Sequence, residues 1–185
     1  MQYVAARGYP VPRVEDVRAA GTELVMERVD GHTMLDVLVS RPSTARENAA
    51  SLAALHRQLH DVPAPDWLDP FVITGGCIVH MDLHPLNVIL APRGPVLIDW
   101  TNARSGPGAA DVALTWLVLV AAELPDTPWA AARERFVHEF LGHFDLAPVR
   151  AVMSAVTAWK CDDRNMRPSE VTTMRRLAAS ESSRA

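Results

Sequence analysis

Apolar positions recur at two different periods along this 185-residue chain, and the change of period marks its elements. Between residues 44 and 61, Ala45, Ala49, Leu52, Leu55 and Leu59 fall near the helical repeat and predict a helix with one buried face. Thr44, with Glu47 three residues on, reads as its capping box. Cys77-Ile78-Val79-His80 predicts a short buried strand. Val88-Ile89-Leu90 and Val96-Leu97-Ile98 predict two more, folded together by a turn at Pro92-Arg93-Gly94. Upstream, residues 1–8 predict the last turns of a helix stopped by Gly8. Residues 11–17 and 22–27 predict strands around a turn at Ala20-Gly21, and Thr33 with Asp36 caps a short helix through residue 39. Residues 62–76 form a Pro- and Asp-rich loop, with Trp67 and Phe71 as its expected anchors. Downstream the pattern is helical. Residues 112–122 are the longest apolar run, interrupted only by Thr115, with Asp111 at their start. Pro128 after Thr127 opens a helix to Gly142, Asp145 caps another to about Lys160, and Pro168 with Glu170 starts a last one through Leu177, leaving 178–185 frayed.

Composition adds mainly exclusions. Hydrophobic residues make up 49% and charged residues 22%, enough for one domain with a core; no repeat and no second domain are evident. The formal net charge is -4, so no basic surplus points to nucleic acid. Two cysteines, Cys77 and Cys161, make no disulfide framework, and a cytoplasmic setting is expected. The first residues lack the apolar segment of a signal peptide. The 112–122 run is shorter than the ~20 residues of a membrane span, so no membrane partner is expected.

The chemistry concentrates in His80-Met81-Asp82-Leu83-His84-Pro85-Leu86-Asn87 and the Val96-Leu97-Ile98-Asp99 run. The turn between the two strands carries Asn87, at the start of one, towards Asp99, at the end of the next. Two oxygen-bearing side chains then converge where Mg²⁺ could sit, with Asp82 on the loop just upstream. H-x-D-L-x-x-x-N followed by an Asp that closes a β-run is the layout of a kinase catalytic loop and metal-binding Asp. The wording here, HMDLHPLN and LIDW, resembles the aminoglycoside phosphotransferase and choline kinase-like family, with Trp100-Thr101 in place of the Phe-Gly of protein kinases. The resemblance runs from about residue 5 to at least residue 115.

This resemblance implies an α+β fold: a mostly helical C-terminal lobe of the protein-kinase-like type, a short β-hairpin at the catalytic loop, and a remnant of an N-terminal sheet. Residues 1–31 would be that remnant and the linker, and 32–185 the catalytic lobe of a single domain. It implies transfer of a phosphoryl group from ATP or another nucleoside triphosphate, with Mg²⁺, to a hydroxyl of a small molecule. Asp82 would orient the acceptor and take its proton, and Asn87 and Asp99 would hold the metal. The linker, with Glu27 and Val29, would offer backbone groups to adenine, and Ile89 and Ile98 would floor the adenine site. His80 would hold the loop, while His84 would bind acceptor or phosphate, or pack. Glu134, Glu139, Asp162 and Asp163 could attract a cationic acceptor, although charged helix faces are more often simply solvated.

The chain also departs from the family. Only residues 1–25 precede the linker, with no glycine-rich loop, and no lysine occurs before Lys160. The expectation is an N-terminally truncated chain, a poor kinase alone, whose exposed apolar surface favours aggregation, a homo-oligomer or a partner. A non-catalytic kinase-like scaffold is the alternative. A zinc hydrolase on His80, Asp82 and His84 is another, disfavoured by Pro85. His56 and His60, four apart, also have metal-binding spacing, though solvent-facing or capping histidines are the commoner outcome.

Overall fold

The computed structural model describes residues 1–123 and 128–184. Thr127, expected before a helix start, and Ala185 of the expected frayed tail lie outside them. Helix α1 (Gln2–Ala5) ends as expected at Gly8, whose φ of +79° suits glycine, and the Tyr9 N–H closes on the Val4 carbonyl at 3.1 Å. Strands β1 (Val14–Arg18) and β2 (Glu23–Met26) pair antiparallel, Val14 opposite Met26. The first strand starts later than expected. Pro10 and Pro12 have no N–H to give to a ladder.

Strand β3 (His32–Thr33) leads into α2 (Met34–Ser40), where Thr33 and Asp36 form the expected capping box. Helix α3 (Ala45–His60) buries the expected stripe, but Thr44 does not cap it. Pro42 starts a 3₁₀ turn that runs straight into the helix and gives Thr44 a near-helical backbone (φ -82°, ψ 4°). Its hydroxyl donates instead to the Arg41 carbonyl at 2.8 Å. In the 62–76 loop Phe71 is buried against Trp159, ring centroids 5.5 Å apart. Trp67 is no anchor: it sits on the outside of the Pro65–Leu68 turn, 70% exposed.

Strand β4 (Cys77–Val79) pairs with β7 (Arg104–Gly106), a strand hidden in a polar, glycine-rich segment. Strands β5 (Val88–Ala91) and β6 (Gly94–Leu97) form the expected hairpin and join β3 in the order β3-β5-β6. Helices α4 (Gly108–Ala121), α5 (Pro128–Leu141), α6 (Leu146–Cys161) and α7 (Pro168–Ser182) complete the chain. Helix α4 packs against α3, α5, α6 and α7, which explains why it is apolar on every side but for the buried Asp111 and Thr115. Helix α7 runs beyond Leu177 because Ala178 and Glu181 are buried, and Glu181 pairs with Arg150 at 2.9 Å. One core extends from Val4 to Ala178. The α+β expectation therefore holds, a helical body carrying small sheets. Among the described residues, no helix is long and apolar enough to cross a membrane.

Candidate active site

Strand β4 delivers His80 and Met81 to the top of α4, where Asp111 waits. The His80 N–H donates to Asp111 Oδ2 at 2.9 Å and the Met81 N–H to Oδ1 at 2.8 Å. Helix α4 starts three residues before Asp111, so Asp111 is a brace for the loop rather than the helix cap. Both carboxylate oxygens are engaged, which lets Met81 hold a left-handed φ of +58°. Burial penalises the Asp111 charge. The hydrogen bond from His60 and the nearby imidazoles more than offset that, and hold its pKa well below the ordinary carboxylate range. The buried His80 ring donates from Nε2 to the Ile98 carbonyl at 3.1 Å and meets Trp100 edge-on, so it ties the loop to the segment that carries Asp99. Burial lowers the His80 pKa, against the pull of Asp111.

Asp82 lies at the centre. Asn87 Nδ2 donates to its carbonyl at 2.9 Å and to its Oδ2 at 3.2 Å. His84 Nε2 stands 3.5 Å from Oδ1 and Lys160 Nζ 3.8 Å from the same oxygen. Desolvation pushes the Asp82 pKa up, but the hydrogen bond and charge of His84, then Lys160 and His80, bring it below the usual value. An ionised, partly buried carboxylate is suited to accept a hydrogen bond from a hydroxyl. The β5–β6 register, Val88 opposite Leu97, continues in a bond from the Ile98 N–H to the Asn87 carbonyl at 2.9 Å. Asn87 is thus placed beside Ile98 and one residue from Asp99, as the hairpin reading expected. Asp99 is exposed at a left-handed φ of +60° and accepts from Thr101 Oγ1 at 2.9 Å.

Two clefts flank this centre. One, of about 420 Å³, is walled by Pro12, Leu24 and Met26 on one side and by Ile98, Asp99, Trp100 and Thr101 on the other. Of the expected adenine contacts, Ile98 lines it. Ile89 is half-buried in the ladder with Thr33 and Val96, and Gly31 presses so close that a Cβ there would meet the Leu90 carbonyl at 2.5 Å. Val29 is half-buried. Glu27 uses its N–H on the Arg13 carbonyl at 2.9 Å and its carboxylate on Arg93 and the Arg13 N–H, so only its carbonyl is left for a ligand. The other cleft, about 680 Å³, is lined by Val72, Asn102, Trp159, Asp162 and Asp163. Of the four acidic residues singled out, Asp162 and Asp163 line it. Glu139 faces Arg46 at 3.7 Å, and Glu134 is exposed away from the cleft.

Lys160 escaped the sequence reading, although it is the sole lysine of the chain. It is nearly buried, bridging Asp82 and, at 3.3 Å, Asp163. Lys160→Met is expected to lower any phosphoryl transfer by about fivefold, the order for an ion pair worth about 1 kcal/mol. It should also raise the apparent pKa of the acid limb of the pH–rate profile, because one positive charge beside Asp82 is gone. An unmoved acid limb would detach Lys160 from Asp82. The zinc-hydrolase alternative loses its site: among the described residues His80, Asp82 and His84 do not bring ligand atoms together, and the His80 ring is bonded to a backbone carbonyl.

Asn87 and Asp99 fit a hard divalent cation by chemistry. Both offer oxygen. Asp99 opens into the smaller cleft, and with Nδ2 of Asn87 held by Asp82 its carbonyl arm turns away from that carboxylate.

Comparison with known proteins places this geometry. The model of the phosphotransferase enzyme family matches residues 66–152, the segment that holds Asp82, Asn87, Asp99 and Asp111. The resemblance read from HMDLHPLN and LIDW therefore stands on this segment. Among solved structures, the crystal structure of an aminoglycoside-3'-phosphotransferase of type VIII is similar, with a TM-score of 0.54 and 20% identity. The alignment covers 97% of this chain and 77% of that one, so the two share a fold. No curated protein sequence matches the chain.

Proposed function

We propose, from a chain that resembles the phosphotransferase enzyme family over residues 66–152, that this protein transfers the terminal phosphoryl group of ATP, or another nucleoside triphosphate, to a hydroxyl of a small molecule. The observation that carries the reading is the shared anchoring of one loop. Asp82, held by Asn87 and flanked by His84, is tied through Lys160 to Asp163 in the wall of one cleft and through Asn87 to Ile98, beside Asp99, in the wall of the other. The Asp99 cleft takes the nucleotide, with Ile98 against the base. The Asp162–Asp163 cleft takes the acceptor, and its acidic lining favours one that carries a positive charge.

Phosphoryl transfer depends on positioning and charge neutralisation more than on covalent steps. Asp82 accepts a hydrogen bond from the acceptor hydroxyl, aligns its oxygen and takes the proton late, as a low-pKa carboxylate must. Asn87 and Asp99 would hold Mg²⁺, which supplies charge neutralisation for the phosphates. Lys160 adds a positive charge next to Asp82. Asp111 and His80 fix the loop.

The test is calorimetric titration of ATP with and without Mg²⁺, beside Asp99→Ala. Affinity should depend on Mg²⁺ in the wild type, and Asp99→Ala should weaken it by about tenfold or more, on the order of a lost charge-assisted contact of 1.5–3 kcal/mol. Nucleotide affinity that ignores both Mg²⁺ and Asp99 would favour the scaffold reading.

A further inference from the structure

A cluster between α3 and α4 lines neither cleft. His56 and His60, one turn apart on α3, face Asp111 on α4. Asp111 Oδ2 is 3.8 Å from His56 Nδ1 and 3.2 Å from His60 Nε2, and one ligand atom from each of the three residues lies within 4.8 Å of the others. The two histidines had metal-binding spacing in the sequence, and the fold supplies the third ligand.

Neighbouring groups decide the tautomer of His56. Thr115 Oγ1 lies 2.6 Å from the Leu83 carbonyl, which can only accept, so the hydroxyl proton points there. The same Oγ1 is 3.1 Å from His56 Nε2, which must then be the donor. The ring is wholly buried, where the neutral form is favoured, and its single proton is on Nε2. Nδ1 is therefore a bare lone pair. It is wholly buried, has no hydrogen-bond partner and faces a carboxylate oxygen. Two electron-rich atoms 3.8 Å apart in a buried site repel unless something positive lies between them.

We propose that His56 Nδ1, His60 Nε2 and Asp111 Oδ2 bind one first-row divalent cation of the zinc class. A tetrahedral cation about 2.0–2.1 Å from each ligand sets the ligands about 3.4 Å apart, close to the two spacings from Asp111 Oδ2, 3.8 and 3.2 Å. The outer contacts are those of a ligating histidine. His56 is held through its other nitrogen by Thr115, and the Asp111 carboxylate is oriented by the His80 and Met81 N–H groups. His60, 16% exposed, opens the site to solvent, so water completes the coordination once its proton moves to Nδ1. The cation ties α3 and α4 to the loop that carries Asp82. It is distinct from the Asn87–Asp99 pair, whose oxygens suit Mg²⁺.

The experiment is titration of Co²⁺, then Zn²⁺, into the chelator-treated full chain. One Co²⁺ per chain should bind with the visible absorption of a tetrahedral nitrogen–oxygen site. Zn²⁺ should displace it and raise Tm. His60→Gln, at a partly exposed position, should abolish the band and weaken binding by at least about a hundredfold, whereas Asp99→Ala should keep it. Circular dichroism checks that the variant folds. A second readout needs no variant: the ¹⁵N resonance of the unprotonated His56 nitrogen should shift on adding Zn²⁺. No stoichiometric uptake, uptake unchanged in His60→Gln, or an unmoved His56 resonance would overturn the proposal and leave a buried water as the bridge.

Discussion

Asp82→Asn is expected to reduce phosphoryl transfer by 10²–10⁴-fold, the order for a lost general base, while ATP affinity changes little. The amide keeps the shape that Asn87 recognises. It removes the charge that His84 and Lys160 balance, and with it the only carboxylate facing the acceptor from the catalytic loop. Because Asp82 acts on the acceptor and not on the nucleotide, calorimetry and single-turnover kinetics should separate. Equal loss of nucleotide binding would mean that Asp82 supports the nucleotide cleft instead. Full retention of transfer would remove it from the reaction.

Asp111→Ala is expected to act through stability. It strips a fully buried carboxylate from the His80 and Met81 N–H groups and from His60, leaving each without its partner. Breaking a buried charged network costs about 3–5 kcal/mol, which lowers Tm by roughly 6–20 °C for a chain of this size. The pH dependence is specific. The Asp111 pKa is depressed in the fold, so its contribution is complete above the unfolded value near 4 and fades as pH falls through the folded one. His56 stays neutral in the fold down to about pH 3, while an unfolded histidine takes a proton near 6.5. The unfolded state thus gains protons first, and stability declines as pH drops below about 6.5. In Asp111→Ala the decline that starts near 6.5 should remain, while the Asp111 share below about 4 should be missing. A Tm in the variant within a degree of wild type would show that the loop needs no brace.

What could be read from the sequence depended on range. The β5–β6 hairpin and its flanking Asn87 and Asp99 were legible because a turn signal, a two-residue alternation and both side chains sit in one short stretch. Helix α2 was legible from Thr33 and Asp36 alone. Thr44 carried the same kind of signal and failed, because Pro42 imposed a turn that a capping motif cannot report. Strand β7 was invisible: Arg104-Ser105-Gly106 has no apolar alternation and shows itself as a strand through its pairing with the distant β4. Lys160 and the His60–Asp111 pair were unreadable for a related reason. Their partners come from distant segments, and packing around α4, not local pattern, brings them together.

The β1–β2 hairpin has a consequence for motion. It is a two-stranded sheet with a 3₁₀ turn and, among the described residues, no third strand, and Val17, Leu24 and Met26 are exposed. Two strands that bury so little open locally at far lower free energy than a core helix. Its amides should therefore exchange with deuterium well before those of α4. Since Leu24 and Met26 wall the smaller cleft, a nucleotide seated there would register first as slowed exchange in residues 14–26, with hardly any change in the melting of the helical body.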